Sequence, residues 1–402
     1  GLGDVYKRQL GLSLHITSQH KKSQKICLLK RFNYLCKGKR ISGISQKIAK
    51  NMRTRKVTIK DIATEAGVSI ALVSFVMNNK ADGKETYRVN KETAQRILEV
   101  AEKLNYQPNN AARTLRSGKT NTIGVIVSDI SNKFFADIAR CIEDRAYKHK
   151  YTVLFGSTDE NPQKLENLIE VFRNKGIDGL IIVPCEGADE IIRNVALQNI
   201  PVVLLDREVP DTELSSVVLN NRRAGVETTQ ALIRQGFTRI EMISYSMNLS
   251  NIREREEGYR FCMTEAGLSD RINIHHLRHD KLGKIDEIVR DAKMRNVEAF
   301  VFATNTLAAN GLTAIFRNGW RVPQDFAMAC FDSNEAFDIY KTAVAYVRQP
   351  IEQFGTEALD LLIKNIEQKD QPINSIRIVL TPEIVESGIP GRETEISQLI
   401  EE

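Results

Sequence analysis

The sequence is poor in the residues that build covalent or metal-held frameworks. Its 402 residues include six Cys, and no two of them form a Cys-x-x-Cys pair. We therefore expect neither a disulfide framework nor a structural zinc site, and the cysteine usage fits a reducing, cytoplasmic environment. No run of about eighteen uncharged apolar residues occurs, so the sequence predicts no membrane-spanning helix.

Motifs typical of enzymes are also missing. The sequence shows no nucleophile elbow, dinucleotide-binding glycine motif or paired-carboxylate pattern. Gly118–Thr120 resembles the end of a phosphate-binding loop, but Arg113 stands where that loop requires a glycine, and no strand precedes it. We therefore predict that the protein is not an enzyme and needs no cofactor. A cluster of three histidines, with no matching carboxylate or cysteine pattern, is interpreted as solvated surface rather than as a metal site: His275, His276 and His279.

Charge is distributed unevenly along the chain. Residues 1–51 carry twelve Lys and Arg against one Asp, residues 52–119 carry a net charge of +6, and residues 120–402 carry −11. A basic N-terminal part followed by an acidic remainder is typical of a protein that binds a polyanion through its N-terminal part. The segment 1–51 opens with GLGDVYKRQ, which resembles translated adapter sequence, and Met52 directly precedes the first regular pattern. We expect 1–51 to be a non-native or disordered basic extension.

Residues 52–107 have the pattern of a helix-turn-helix DNA-binding domain. Thr58 and Asp61 form a capping-box-like start, and Gly67 ends this first helix and permits a tight turn. A second helix is predicted at Ser69–Asn78 and a third after Asn90, with inward-facing apolar residues at helical spacing. These residues are Ile59, Ile62, Ala63, Ala66, Leu72, Val73, Val76, Ala94, Ile97, Ala101 and Leu104. A three-helix bundle that binds protein is the alternative.

The segment 108–119 predicts a short helix that needs a partner. Pro108 can start a helix and Gly118 can stop it, but about eight residues cannot hold a helix alone in water. We therefore expect this segment to become ordered only where it docks.

Two stretches resemble the lactose-repressor (LacI/GalR) family of bacterial transcription regulators: VTIKDIATEAGVS from Val57 and NYQPNNAARTLRSGKT from Asn105. The likeness extends to about Gly388. It implies that the second helix enters the DNA major groove and that 108–117 is a hinge helix in the minor groove, where Leu115 wedges a base step. By the same alignment the DNA-binding residues are Thr58, Ser69, Ile70, Ala71, Ser74, Phe75, Asn78, Arg88, Asn109, Ala112 and Leu115.

Phe75 departs from the family pattern. The family usually places Arg there, and Arg reads guanine through two hydrogen bonds. Phe75, Ile70 and Ala71 instead offer apolar contacts that suit thymine methyl groups. We predict an operator without the guanine preference at that position.

Beyond Asn121, strand and helix patterns alternate, which predicts parallel sheets covered by helices. Strands are expected at Thr122–Ser128, Tyr151–Ser157, Asp178–Val183, Val202–Leu205, from Ser216 in a second round, Arg239–Ser244, Ala299–Ala303 and Phe326–Phe331. The resemblance implies an α/β two-lobed sensor over 120–388, akin to type I periplasmic sugar-binding proteins. We assign 120–217 and 348–374 to the N-lobe, 218–347 and 375–388 to the C-lobe, and 389–402 to a tail.

A ligand cleft is expected where the carboxyl ends of the strands meet. Phe134 and Phe135 follow the first strand and could stack on a sugar ring, and Asp206 follows the fourth. The resemblance adds Arg255, Asn305 and Asp332, although Thr306 replaces the family's usual Asp after Asn305. Carboxylate, Arg and amide groups suit a neutral polyol. A nucleoside or an amino sugar is the alternative ligand, and helix caps or turns are the alternative role for these residues.

These observations predict a ligand-responsive transcriptional regulator, most simply a repressor of carbohydrate-utilisation genes. Two chains would pair as a homodimer on a palindromic operator, and a sugar-type effector between the lobes would control the hinge helices. Induction is the commoner behaviour of the family, with corepression as the alternative. A solute-binding protein or an enzyme on the same two-lobed scaffold is the competing function.

Overall fold

The computed structural model describes residues 57–82, 89–107, 118–198, 200–332, 345–368 and 375–386, with backbone only for 78–82. The chain divides into two compact units, Gly1–Asn109 and Asn110–Glu402, and each is described by itself. The predicted extension 1–51, hinge helix 108–117 and tail 389–402 lie outside the described residues, as do Arg88, Asn109, Ala112, Leu115 and the Asn78 side chain. No helix in the described ranges is long and apolar enough to cross a membrane.

The described residues of the first unit form three helices: α1 (Ile59–Ala66), α2 (Ile70–Asp82) and α3 (Lys91–Lys103). The Thr58 hydroxyl accepts a hydrogen bond from the Asp61 backbone N–H, and the Asp61 carboxylate accepts one from the Thr58 N–H at 2.8 Å, so the predicted capping box forms. Gly67 ends α1 with a φ of 65°, in the left-handed region that a residue without Cβ adopts most easily.

The core of this unit follows the predicted apolar pattern. Ile62, Val73 and Ile97 are fully buried, one from each helix, so the three helices share one small core. Ile59, Leu72 and Leu104 are only half-buried, at the margin of that core. The helix α2 continues to Asp82, four residues beyond its predicted end.

The second unit begins as alternating strands and helices. In chain order these are β1 (Thr122–Val127), α4 (Lys133–Lys148), β2 (Thr152–Ser157), α5 (Pro162–Asn174), β3 (Gly179–Ile182), α6 (Asp189–Ala196), β4 (Val202–Leu205) and β5 (Ser215–Leu219). The pattern then repeats as α7 (Asn221–Arg234), β6 (Ile240–Tyr245), α8 (Ser250–Glu265), β7 (Ile274–Leu277), α9 (Ile285–Met294), β8 (Ala299–Phe302), α10 (Asn305–Arg317) and β9 (Ala327–Phe331). The last described elements are β10 (Ala345–Arg348), α11 (Ile351–Glu367), β11 (Arg377–Leu380) and β12 (Glu383–Glu386).

Two six-stranded sheets define two lobes. The first sheet has the order β11-β5-β4-β3-β1-β2, with every pair parallel. The second has the order β12-β10-β9-β8-β6-β7 and is parallel except for β12 against β10. Both central strands β3 and β8 are fully buried, as expected of strands covered by helices on both faces.

The lobe boundaries differ from the prediction at two places. Strand β5, which we expected to begin the second round, completes the first sheet through Leu219 because it pairs with β4. Strand β11 was assigned to the second lobe, yet it pairs in parallel with β5 and buries Leu380 in the first core. Of the strands described in the segment 375–388, β12 alone joins the second sheet, so the described elements pass from one lobe to the other three times.

Helices α7 and α8 approach each other through glycine. A Cβ on Gly258 would lie 2.3 Å from the Arg222 carbonyl oxygen, and one on Gly225 would lie 2.4 Å from the Arg255 carbonyl oxygen. Neither backbone oxygen can move without moving its helix. The absence of two side chains therefore sets the distance between these helices, and α8 carries Arg255.

We predict that Gly258→Ala lowers the free energy of unfolding by roughly 1–3 kcal/mol, because the added methyl group forces α7 and α8 apart. Urea unfolding midpoints measure this change. The matched control is Gly283→Ala, where a Cβ meets nothing within 4 Å and little change is expected. Equal midpoints for both variants would show that the helices have room to spare.

Candidate functional site

A cleft of about 490 Å³ lies between the two lobes of the second unit. It is lined by loops that follow β1, β2 and β4 of the first sheet and β6, β8 and β9 of the second, so strand ends from both lobes meet there as predicted. All six ligand residues expected from the sequence line it: Phe134, Phe135, Asp206, Arg255, Asn305 and Asp332.

Asp206 is the most deeply buried acid of the cleft, with 3% of its surface exposed. Its Oδ2 accepts a hydrogen bond from Asn251 Nδ2 at 3.0 Å, whereas Oδ1 has no protein partner within the described residues. Burial raises the pKa of Asp206, and the nearby Arg207 and Arg255 oppose that rise. Its backbone φ of 65° lies in the left-handed region, which Asp tolerates better than most residues. A buried oxygen without a partner calls for a hydrogen-bond donor.

Arg255 is held from several sides. Its Nε donates to Asn221 Oδ1 at 2.8 Å, its Nη1 donates to the Ala303 carbonyl at 2.8 Å, and its guanidinium lies 4.2 Å from the centre of the Phe331 ring. Burial lowers the pKa of Arg255, while Asp332 and Asp206 act against that change. The side chain is therefore fixed in place before any ligand arrives.

Asn305 and Asp332 follow β8 and β9, and both are tied to neighbours. Asn305 Oδ1 accepts the Thr306 N–H at 2.7 Å, and Asn305 Nδ2 reaches Asn132 Oδ1 at 3.4 Å. Asp332 Oδ1 accepts a short hydrogen bond from Gln349 Nε2. Gln349 was not foreseen from the sequence, and its buried Oε1 is a second acceptor without a protein partner in the described ranges.

Phe134 and Phe135 do not fit the predicted stacking role. Both are more than nine-tenths buried, and their rings pack edge to face at a centroid distance of 4.9 Å. Phe134 also packs edge-on against Phe354 of α11. The two rings are part of the first-lobe core, so neither leaves a whole face free for a sugar. At the start of α4, the two side chains pack in the core and also border the cleft.

A buried ion pair in the cleft wall was also missed. Arg207 Nη2 lies 2.8 Å from Glu160 Oε1, and Arg207 Nη1 donates to the Pro184 carbonyl at 2.9 Å. Burial works to raise the pKa of Glu160, but Arg207 outweighs it and leaves that pKa below its ordinary value. The two residues are 47 positions apart, so no local pattern links them.

The histidine cluster is not the uniformly solvated surface that we expected. His275 lies on β7 and contacts buried Glu241 at 2.7 Å. Burial acts to raise the pKa of Glu241, but hydrogen bonds from His275 and Arg295 outweigh it and lower that pKa to about 2. His276 Nε2 lies 3.0 Å from Glu256 Oε1. His279 lines the cleft, with its ring centre 5.7 Å from that of Tyr245.

Hydrogen bonds join the two lobes across the cleft. Asn251, at the start of α8, reaches Asp206 of the first lobe, and Asn305, at the start of α10, reaches Asn132. Two backbone groups take part as well: the Asn248 N–H donates to Glu186 Oε1 at 2.8 Å, and the Glu208 N–H donates to Ser250 Oγ at 3.1 Å. In the described residues, these hydrogen bonds connect the lobes alongside apolar contacts, because Phe331 and Val347 of the second sheet pack in the first-lobe core.

The first unit presents an exposed apolar face on α2. Ile70 is 51% exposed and Phe75 is 38% exposed, although Val73 and Val76 between and beside them are buried. Ala71 is exposed as well, and Ser69 caps the helix by accepting the Leu72 N–H at 3.2 Å. A three-helix unit that exposes two large apolar side chains on one helix has a surface for a partner.

Each of the two units matches a family of known proteins. Residues 58–109 match the family of bacterial regulatory proteins of the LacI type, and residues 120–384 match the family of periplasmic binding proteins and sugar-binding domains of the LacI family. The chain is 30% identical to the transcriptional regulator RegA of Clostridium saccharobutylicum, over 82% of this chain and 98% of the relative. It is also 30% identical to catabolite control protein A of Priestia megaterium, over 78% and 93% of the two chains.

Solved structures show the same architecture. A LacI-family transcriptional regulator from Silicibacter pomeroyi matches with a TM-score of 0.63 and 25% identity, over 82% of this chain and 98% of the other. The lac repressor dimer bound to operator matches with a TM-score of 0.71 over 83% and 98% of the chains, and at 21% identity this likeness concerns the fold. The described helix-turn-helix unit, the two-lobed unit and the matches along both lead to one assignment: the chain belongs to the LacI family of DNA-binding transcriptional regulators and is not an enzyme.

Proposed function

We propose that this protein represses carbohydrate-utilisation genes and that a neutral sugar bound between its lobes controls its affinity for the operator. The observation that carries the ligand class is the pair of buried acceptors at Asp206 Oδ1 and Gln349 Oε1, neither of which has a protein partner among the described residues. A ligand rich in hydroxyl groups supplies donors to both. A free solute-binding protein on this scaffold would have no use for the helix-turn-helix unit.

The charges of the cleft support a neutral ligand over an anionic one. Arg207 is already engaged by Glu160 and a backbone carbonyl, and Arg255 by Asn221 and another carbonyl. The acids of the cleft therefore repel an anionic ligand, and both guanidinium groups already have these partners, although Arg207 Nε has no hydrogen-bond partner in the described residues. Because Phe134 and Phe135 are core residues, binding rests on polar groups, with Tyr245 and His279 as the aromatic side chains on the opposite wall.

The exposed face of α2 is proposed to read bases in the major groove. Ile70, Ala71 and Phe75 supply apolar contacts, and Ser74 and Asn78 are the polar members of the same predicted set. Thymine presents a methyl group in the major groove that matches the apolar residues. One unit of this size contacts few bases, so two chains acting as a dimer on a palindromic site give sufficient specificity.

Coupling between ligand and DNA is proposed to run through the segment 108–117. Closure of the cleft changes the spacing of two such segments in a dimer, and each then docks in the minor groove as a helix or loses its helical form. A ligand shifts this balance only by its difference in affinity for the two states. Induction, in which the sugar releases DNA, is the behaviour we propose.

Asp206→Asn is expected to weaken sugar binding at least about tenfold, because the amide replaces one acceptor oxygen by a donor. A thermal-shift panel of neutral sugars, sugar acids and nucleosides identifies the ligand first, since a bound ligand raises the melting temperature. Asp211→Asn is the matched control, because Asp211 is exposed and also has a positive φ. Equal affinity in both variants, or a shift from sugar acids alone, contradicts the proposed ligand site.

Phe75→Arg is expected to change the preferred half-site so that it gains a guanine, because Arg donates two hydrogen bonds to that base and Phe donates none. Selection from a random-site library measures the preference of both proteins. Phe316→Arg, on an exposed position of α10 in the second unit, controls for the added charge. An unchanged selected sequence for Phe75→Arg means that this residue does not read bases.

Leu115→Ala is expected to weaken operator binding by tenfold or more while leaving sugar affinity nearly unchanged, because the side chain that wedges a base step is removed and such wedging involves a few kcal/mol. Fluorescence anisotropy with operator DNA and calorimetry with the sugar give the two affinities. A parallel decrease of both would point to a folding defect instead of a hinge role.

A further inference from the structure

We propose that one edge of the first lobe is a second DNA-binding surface, which binds backbone phosphates beside the site read by the helix-turn-helix unit. This edge, called here the linker-side edge, consists of the turns at 118–122, 148–152 and 173–178. It lies at the amino ends of β1, β2 and β3, opposite the cleft. The inference rests on the proposed operator binding and adds a partner surface to it.

Hydrogen bonds hold the three turns together. The Asp178 carboxylate accepts the Thr120 N–H at 2.9 Å and the Asn121 N–H at 2.8 Å. Thr120 Oγ1 donates to the Gly176 carbonyl at 2.7 Å, and the Thr152 N–H donates to the Asn121 carbonyl at 2.9 Å. The linker-side edge is therefore one defined surface rather than three independent loops.

Besides Lys119, four exposed cations project from this surface: Lys148, Lys150, Arg173 and Lys175. Within the described part of the chain, none of the four forms an ion pair, whereas many other basic residues of the second unit do, among them Arg140, Arg145 and Arg239. The concentration is notable because residues 120–402 carry a net charge of −11. Unpaired cations gathered on an acidic body are the electrostatic signature of a polyanion-binding surface.

Nearby carboxylates do not cancel this charge. Asp178 is engaged by the backbone of the neighbouring turn, and Glu367 lies at the end of α11. Burial first, and then these two acids, raise the pKa of Tyr151, which places both acids close to the edge. Asp360 also lies beside this edge, 3.8 Å from His149, but it is paired with Arg145 at 2.7 Å. Against the exposed cations, Asp178 and Glu367 therefore leave an excess of positive charge at the surface.

Helix stabilisation accounts for part of the pattern only. Lys148 and Arg173 lie in the last turns of α4 and α5, where a cation interacts favourably with the helix dipole. Lys150 lies two residues beyond α4 with a φ of 62°, and Lys175 follows the last residue of α5. The dipole effect falls off within the last turn, so it does not explain why the basic residues continue past the helix ends.

The connection to the DNA-reading unit favours DNA as the occupant. The linker 108–117 enters the second unit at Gly118, which belongs to the linker-side edge, and ten fully extended residues span at most about 35 Å. The chain therefore joins this surface directly to the unit that is proposed to read DNA. Phosphates that flank the recognised bases carry the negative charge that these exposed cations can neutralise.

The test compares two full-length quadruple variants that remove the same charge. The edge variant carries Lys148→Gln, Lys150→Gln, Arg173→Gln and Lys175→Gln. The control variant carries Arg260→Gln, Lys281→Gln, Lys284→Gln and Arg317→Gln, all at exposed second-lobe positions. Each protein is titrated, over a range of salt concentrations, with the selected operator trimmed to its core and with the same operator extended by about one helical turn on each side.

On the extended duplex, the edge variant is expected to bind about tenfold more weakly than wild type. Its salt slope should fall by about 0.9 for each phosphate that the protein no longer neutralises. On the trimmed duplex the difference should shrink, and the control variant should follow wild type on both. Equal weakening by both variants, or equal affinities of all three proteins for the extended duplex, overturns the proposal. Failure of wild type to bind any duplex contradicts the proposed function instead, and thermal melting verifies that both variants fold.

Discussion

Buried charge is the constraint on which the sensor unit depends. The walls of the cleft contain two guanidinium groups and several carboxylates away from water, and an isolated charge there would cost several kcal/mol. Specific partners offset this cost. Glu160 pairs with Arg207, and Asn221 and a backbone carbonyl accept hydrogen bonds from Arg255. The set of partners is incomplete, because Asp206 keeps one oxygen without a protein partner in the described ranges. The same requirement that fixes the walls therefore defines what a ligand has to provide.

Close packing outside the cleft holds this arrangement in register. Arg255 belongs to α8, whose distance from α7 is set by Gly225 and Gly258. Its guanidinium also lies over Phe331 at the end of β9, so a helix and a strand of the second lobe position one side chain. A small change between the helices would move Arg255 relative to Asp206, which belongs to the other lobe. The small size of Gly225 and Gly258 therefore affects both the stability of the second lobe and the position of Arg255 in the ligand site.

Much of the fold could be predicted from the sequence because its signals are local. The capping box of Thr58 and Asp61, the left-handed Gly67 and the N-cap of α3 at Asn90 each depend on a few neighbouring residues. The alternation of strand and helix also indicated the two-sheet architecture, and the rule that ligands bind at strand ends brought six residues to one cleft. These inferences required only periodicity and the known geometry of parallel sheets.

The predictions that the structure contradicts concern contacts between residues that lie far apart in the sequence. Nothing in the sequence of β11 indicates that it pairs with β5, which lies about 160 residues earlier. The ion pair of Arg207 with Glu160 likewise has no local sequence pattern. Phe134 and Phe135 fit equally well as ligand-stacking rings or as core, and only the packing against Phe354 separates these interpretations. The three histidines are predicted to be solvated because no carboxylate or cysteine pattern accompanies them in the sequence, but Glu241 and Glu256, which contact His275 and His276, lie 34 and 20 residues away.

The late return of the chain to the first lobe has a consequence for folding during synthesis. Helix α11 and strand β11 supply part of the first core and one edge of its sheet, yet the ribosome makes them after β6 to β10. The first lobe therefore stays incomplete until about residue 380 has left the ribosome, although its strands β1 to β5 emerge early. Until then apolar surface on β3, β4 and β5 lacks the helix that covers it in the finished molecule, which makes the nascent chain a natural client for chaperones.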